Sequence, residues 1–154
     1  MKHDIPARLS RRQASLALVA AAIAPQLSAR AAASVIEIWT GPSCSCCQGW
    51  IDHLKASGFE VVTHDGGNSD ARARLGMPIA YGSCHTGSVE GYAIEGHVPA
   101  REVRRLLVER PAAIGLSVPG MPRGSPGMES PIHDPYDVLL VARDGRTTVF
   151  QSYR

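Results

Sequence analysis

The chain lacks an apolar run long enough to cross a bilayer. A spanning helix takes about 20 largely apolar residues, and the stretch Leu16–Ala24 falls well short of that, so no permanent membrane span is expected. Internal repeats are missing too, which excludes solenoids and propellers. Nor is there a surplus of charge of one sign: 16 Lys and Arg stand against 14 Asp and Glu, a formal net charge of +2. Five of the basic residues (Lys2, Arg8, Arg11, Arg12 and Arg30) and one acidic residue, Asp4, fall within residues 1–33. What remains is slightly acidic, 11 basic against 13 acidic residues, a balance of −2. Such a domain has no electrostatic footprint for a phosphate backbone, and no nucleic-acid partner is expected.

What the first residues do contain is the pattern of an export signal. Arg8, Arg11 and Arg12 form a basic region, Leu16–Ala24 an apolar centre, and Ala29-Arg30-Ala31 or Ala31-Ala32-Ala33 the small residues that a signal peptidase requires. Residues 1–33 are therefore expected to be a cleaved leader and 34–154 the exported domain. The Arg11-Arg12 pair after Ser10 resembles the twin-arginine signal in part, since Ala14 stands where that motif prefers a bulky apolar residue. An ordinary secretory leader with two adjacent arginines is the alternative. The remaining ~120 residues suit one compact domain. All four cysteines lie in it, in an oxidising compartment where thiols persist only when bonded, metal-bound or catalytic.

"VIEIWT", Val35–Thr40, alternates and is β-branched, which predicts a strand ending at Gly41-Pro42. Cys47, Trp50, Ile51 and Leu54 then recur at helical spacing, and Gly58 closes that helix. "FEVVTH", Phe59–His64, predicts a second strand, and a strand–helix–strand run of this length implies parallel pairing. Asp70–Leu75 predicts a short helix stopped by Gly76 and Pro78. The stretch "IAYGSCHTGSVEGYAIEGHVP" predicts two strand-like pieces around a turn near Gly87, with Cys84 and His85 in the first. A helix follows from Pro99, with Val103, Leu106 and Leu107 on its buried face, and Pro111 ends it. Gly115–Pro135 is rich in glycine and proline and predicts a loop. The hairpin "DVLLVARDGRTTVFQ", turning at Asp144-Gly145, follows, so the loop is tied at both ends and is expected to pack over something. The order of elements predicts an α/β thioredoxin-like fold lacking the last helix, with the strand-like segment around Cys84 as an insertion.

Cys44, Cys46 and Cys47 crowd the start of the first helix in "GPSCSCCQGW". A cysteine at a helix N-terminus meets unpaired N–H groups and the positive end of the dipole, which favour the thiolate. Cys44 and Cys47 form a C-x-x-C, the spacing of a redox dithiol; a thiol–disulfide oxidoreductase would use Cys44 as nucleophile and Cys47 as resolving thiol. At about 100° per residue, Cys46 is predicted to point away from Cys44. Three sulfurs so arranged do not converge on one ion but can face several, each sulfur bridging two. Soft thiolates favour Cu(I), whereas zinc is usually met by well-separated terminal ligands. Further donors are Cys84, His85, His97, Met121 and Met128. A Gly/Pro-rich loop has little reason to expose thioethers, although a loop methionine also serves as a gap-filler. His97, just before a helix start, points from a fixed position; His53 and His133 read as solvated surface residues, and His64 as an ordinary strand-end residue. Two structural disulfides holding a partner-binding module are the third alternative; four cysteines permit three connectivities, and a bond between neighbours Cys46 and Cys47 would be strained.

"CSCC", "GSCHT", "GYAIEGHVPA", "GLSVPGMPRGSPGME" and "PYDVLL", in this order, resemble the CopG-type periplasmic copper-resistance proteins over nearly the whole chain after the leader. The resemblance implies a periplasmic, thioredoxin-like protein that binds Cu(I) through cysteines bridging a multinuclear cluster. The expected role is in copper resistance or homeostasis, with copper ions and other periplasmic copper-handling proteins as the expected partners. A redox role is compatible with clustered thiolates and copper. Position by position, the implied metal ligands are Cys44, Cys46, Cys47, Cys84, His97, Met121 and Met128. Ser45 stands where the motif commonly has glycine; it restricts the backbone slightly and removes no donor.

Overall fold

The computed structural model describes residues 34–154; the expected leader, residues 1–33, lies outside them. The elements run β1 (Val35–Thr40), α1 (Ser45–Ala56), β2 (Glu60–Asp65), α2 (Ser69–Arg74), a 3-10 turn (Ile79–Tyr81), β3 (His85–Val89) and β4 (Tyr92–Gly96). They continue with α3 (Ala100–Glu109), β5 (Ala113–Val118), β6 (Tyr136–Ala142) and β7 (Thr147–Tyr153). The strands form one seven-stranded mixed sheet in the order β2-β1-β3-β4-β5-β6-β7. β1 and β2, joined through α1, are parallel, as the strand–helix–strand pattern predicts; β4 and β5, joined through α3, are parallel as well. The other neighbours are antiparallel.

Successive strand residues face opposite sides of a sheet, and each side here has its own apolar cover. Ile36, Ile38, Ile94, Leu116 and Val138 pack with Trp50 and Leu54 of α1 and with Val103 and Leu106 of α3. Ala93, the neighbour of Ile94, packs with Val141 and with Met77, which follows α2. The buried stripe of α1 is Cys47, Trp50, Ile51 and Leu54, the set its spacing predicts. Burial of each large apolar side chain contributes about 1.5–3 kcal/mol, so the first turn of α1, with its cysteines, is anchored by the core directly behind it.

Three elements differ from expectation. The segment around Cys84 is not an insertion: β3 pairs with β1, Thr40 lying opposite His85, and β3 and β4 hold the middle of the sheet, nearly every residue buried. The β6–β7 hairpin lies at the far edge instead. The turn falls at Glu90-Gly91, both at positive φ, while Gly87 sits inside β3, where a Cβ would touch Trp50 and Ile36 at 3.4 Å. Cys84 immediately precedes β3 rather than lying within a strand. Finally, Gly115–Val118 belongs to β5, paired on both sides, so the Gly/Pro-rich loop begins at Pro119.

That loop packs over α1, as its two tethers predict. Gly127, at φ +83, lies on the helix: a Cβ there would be 2.6 Å from the Cys46 carbonyl oxygen, and a Cβ on Gly49 would be 2.8 Å from the Gly127 Cα. A glycine inside a helix costs roughly 0.5–1 kcal/mol relative to alanine. Gly49 stands where the loop needs the room. Among the described residues no helix is long and apolar enough to cross a membrane.

Candidate metal centre

Cys44 is the N-cap of α1, with extended backbone (φ −86, ψ 91). The helical rotation of 100° per residue therefore does not reach it, and its sulfur lies 3.4 Å from the Cys46 Sγ rather than pointing away from it. A disulfide joins Cys44 to Cys47, their Cα atoms 5.3 Å apart. Cys46 and Cys84 are free thiols, their sulfurs 3.7 Å from each other. All four sulfurs lie within 4.8 Å of one another. Cys84 comes to this place because β3 pairs with β1, whose C-terminal end leads directly into the cysteine turn.

A second group shares Cys84. Its sulfur lies 3.3 Å from His85 Nδ1 and 3.3 Å from His97 Nε2. Each ring's other nitrogen faces a carbonyl, His85 Nε2 that of Gly96 at 2.9 Å and His97 Nδ1 that of Pro126 at 2.8 Å. A carbonyl only accepts, so those nitrogens carry the protons. The nitrogens facing Cys84 therefore present lone pairs. Both imidazoles are fully buried. Burial, reinforced by His97, pushes the His85 pKa down to about 3, and burial lowers that of His97; both are neutral at pH 7. Burial also pushes the Cys84 thiol up to about 11, with Cys46 adding to it. Trp50 stacks on His85 at 4.3 Å while its indole N–H donates to the Val98 carbonyl at 2.8 Å. Two nitrogen lone pairs and a sulfur thus meet around a single thiol proton. The set is rich in electrons and lacks positive charge, and its soft and borderline donors fit a soft cation better than magnesium or calcium, which prefer oxygen.

His97 is brought to Cys84, and His85, noted as a nearby donor but outside the implied ligand set, is equally close. Met128 lines a surface cavity with Cys46, and Met121 lines another with Cys84, so the two methionines flank the sulfurs rather than meeting at one point. His53 is not a solvated residue. It is half-buried, its Nε2 accepts from the Ala100 N–H at the start of α3 at 3.0 Å, and burial lowers its pKa. His133 is exposed, and His64 pairs with Glu37 on the sheet surface, both as predicted. Unforeseen is Glu95 in β4, wholly buried and ion-paired to Arg72; its signal is a lone carboxylate in the apolar run "YAIEGH".

The chain as a whole has counterparts among known proteins. Residues 81–128 match the model of a family described as "Protein of unknown function, DUF411", a span that includes Cys84, His85, His97, Met121 and Met128. No curated protein matches. Two solved structures of copper resistance protein CopG are similar to the chain. Form 2 is 43% identical, with a TM-score of 0.75, covering 79% of this chain and 99% of that one. Form 1 is 44% identical, with a TM-score of 0.73, covering 77% of this chain and 96% of that one. At this identity, over nearly the full length of the relatives and with four sulfurs and two imidazoles gathered in one place, the chain belongs to the CopG family of copper-resistance proteins.

Proposed function

We propose that the chain is an exported, periplasmic protein that takes up Cu(I) on its sulfur cluster as several cysteine-bridged ions, serving copper resistance in company with other copper-handling proteins of that compartment. Residues 1–33 are its leader and 34–154 its working domain. β1 to α3 form a thioredoxin-like unit on this view. Its final helix is then present as α3, and β5–β7 extend the sheet beyond it.

The observation that carries the proposal is the meeting of Cys84 with the free nitrogens of His85 and His97 beside three more sulfurs. Cys44, Cys46, Cys47 and Cys84 would hold the metal with His97 and His85, while Met121 and Met128 stand at the margins, placed to receive or release a soft ion. In the disulfide form, Cys46, Cys84 and the two imidazoles are the available donors. Two electrons and two protons delivered to Cys44–Cys47 free two more sulfurs, so capacity for a soft cation rises on reduction. Titration of the reduced protein with Cu(I) tests this: more than one ion should bind per chain, and Cys46→Ser or Cys84→Ser should lower the number. An unchanged stoichiometry in both variants refutes it.

The Cys44–Cys47 disulfide favours one other function, thiol–disulfide exchange with Cys44 as nucleophile and Cys47, buried behind it, as resolving thiol. In that case Cys44→Ser abolishes reduction of a test disulfide and Cys46→Ser leaves it intact. Loss in both variants counts against exchange and for a shared metal cluster.

A further inference from the structure

We infer that Glu95 and Arg72 form a positioning clamp that fixes Cys84 and His85 in the register that metal binding needs; this rests on the copper function proposed above. Glu95 is fully buried in β4. Its Oε1 accepts from the Ser83 N–H at 2.6 Å and from Arg72 Nε at 3.0 Å, and its Oε2 accepts from the Thr86 hydroxyl at 2.6 Å. Arg72 also donates to the Ser83 carbonyl at 2.6 Å. Asn68 Nδ2 donates to the same carbonyl and to Thr86 Oγ1, both at 3.2 Å. Ser83 and Thr86 are the residues that bracket Cys84-His85. One carboxylate and one guanidinium therefore hold both ends of the two-residue segment whose sulfur and Nδ1 face the centre. The Ser83 hydroxyl passes the same register onward by donating to the Gly120 carbonyl at 2.6 Å, next to Met121.

Stability alone does not account for this pair. Replacing a buried ion pair by well-packed apolar side chains is often neutral or stabilising. A fully hydrogen-bonded buried network instead specifies geometry, and here the geometry specified is that of two metal-facing atoms. Partners that orient ligands typically matter 10- to 100-fold for metal affinity.

Three variants and two measurements decide it. Glu95→Gln keeps the size of the side chain but loses the charge and one acceptor; Asn68→Ala trims the clamp at a half-exposed position without burying a charge. Leu106→Ala, in the core on α3, is the control for lost stability. In competition with a chromophoric Cu(I) chelator, Glu95→Gln should lower Cu(I) affinity by about 10- to 100-fold and Asn68→Ala by a smaller factor. Leu106→Ala should lower the melting temperature and leave affinity unchanged. The second measurement uses no copper: with Cys46→Ser as background and the Cys44–Cys47 disulfide intact, Cys84 is the one free thiol, and Glu95→Gln or Asn68→Ala should speed its alkylation by iodoacetamide. Parental affinity in both clamp variants, or an equal loss in Leu106→Ala, overturns the inference. If the parent binds no Cu(I), the copper function fails by itself, and parental alkylation rates would then overturn the clamp separately. Should Glu95→Gln not fold, Asn68→Ala carries both measurements.

Discussion

His85 makes the folded protein sensitive to acid in a calculable way. Its imidazole is buried between Trp50, Cys84 and His97, and burial holds its pKa near 3 against an ordinary 6.5. Above 6.5 the ring is neutral whether the chain is folded or not, so it contributes no pH dependence there. As the pH falls below 6.5 the unfolded chain takes up a proton that the folded chain refuses, and stability is lost until the folded pKa is reached. Each pH unit in that window costs about 1.4 kcal/mol, which gives a loss of about 2 kcal/mol at pH 5. Domains of this size are stable by about 5–15 kcal/mol, so the loss is readily measured. Urea denaturation of the metal-free protein at about pH 7.5 and about pH 5 should show it in the parent. His85→Gln cannot titrate and retains an N–H for the Gly96 carbonyl. Its acid loss should be smaller by about 2 kcal/mol. Some loss should persist, because burial lowers His97 in the same direction. Equal losses in parent and variant would refute the assignment of His85 as a buried neutral base.

Alanine at an ordinary helical glycine gains up to about 1 kcal/mol, but Gly49→Ala should lower the melting temperature, because its Cβ would lie 2.8 Å from the Gly127 backbone; a rise would show that the loop does not press on α1. Trp50→Phe keeps the ring against His85 and removes the donor to the Val98 carbonyl. A buried carbonyl left without its partner costs about 1–3 kcal/mol, measurable as a lower urea midpoint, and an unchanged midpoint would exclude that hydrogen bond. Under denaturing, non-reducing conditions a chromogenic thiol reagent should count two thiols per chain, those of Cys46 and Cys84. Four thiols before any reductant is added would exclude the Cys44–Cys47 disulfide.

What the sequence makes legible is what local periodicity governs. The stripe of α1, the β-branched run of β1 and the Asp144-Gly145 hairpin each carry their pattern within a few residues, and each is found where it is predicted. β5 is hidden because its last residues merge into a Gly/Pro-rich composition, and its strand character comes from pairing with β4 and β6, which no window along the chain contains. Gly87 looks like a turn but is small because Trp50 and Ile36 crowd it. The centrality of β3 and β4 escapes for the same reason: sheet order is a long-range property. At the candidate metal centre, residue types single out the sulfurs, His97 and the methionines as candidate donors, and the sulfurs and His97 are found together, while the placement of Cys46 fails on one point, the extended conformation of Cys44 at the helix cap. The roles of His53 and Glu95 depend on partners 47 and 23 residues away, beyond the reach of any motif.

The tautomers set by Gly96 and Pro126 have a consequence for proton traffic. Both rings already offer a bare nitrogen, so a cation that settles against Cys84 displaces nothing from either imidazole. Every hydrogen ion liberated on uptake must leave a sulfur, at most two from the oxidised form, and weakly buffered solution should acidify in proportion to thiols engaged rather than to histidines.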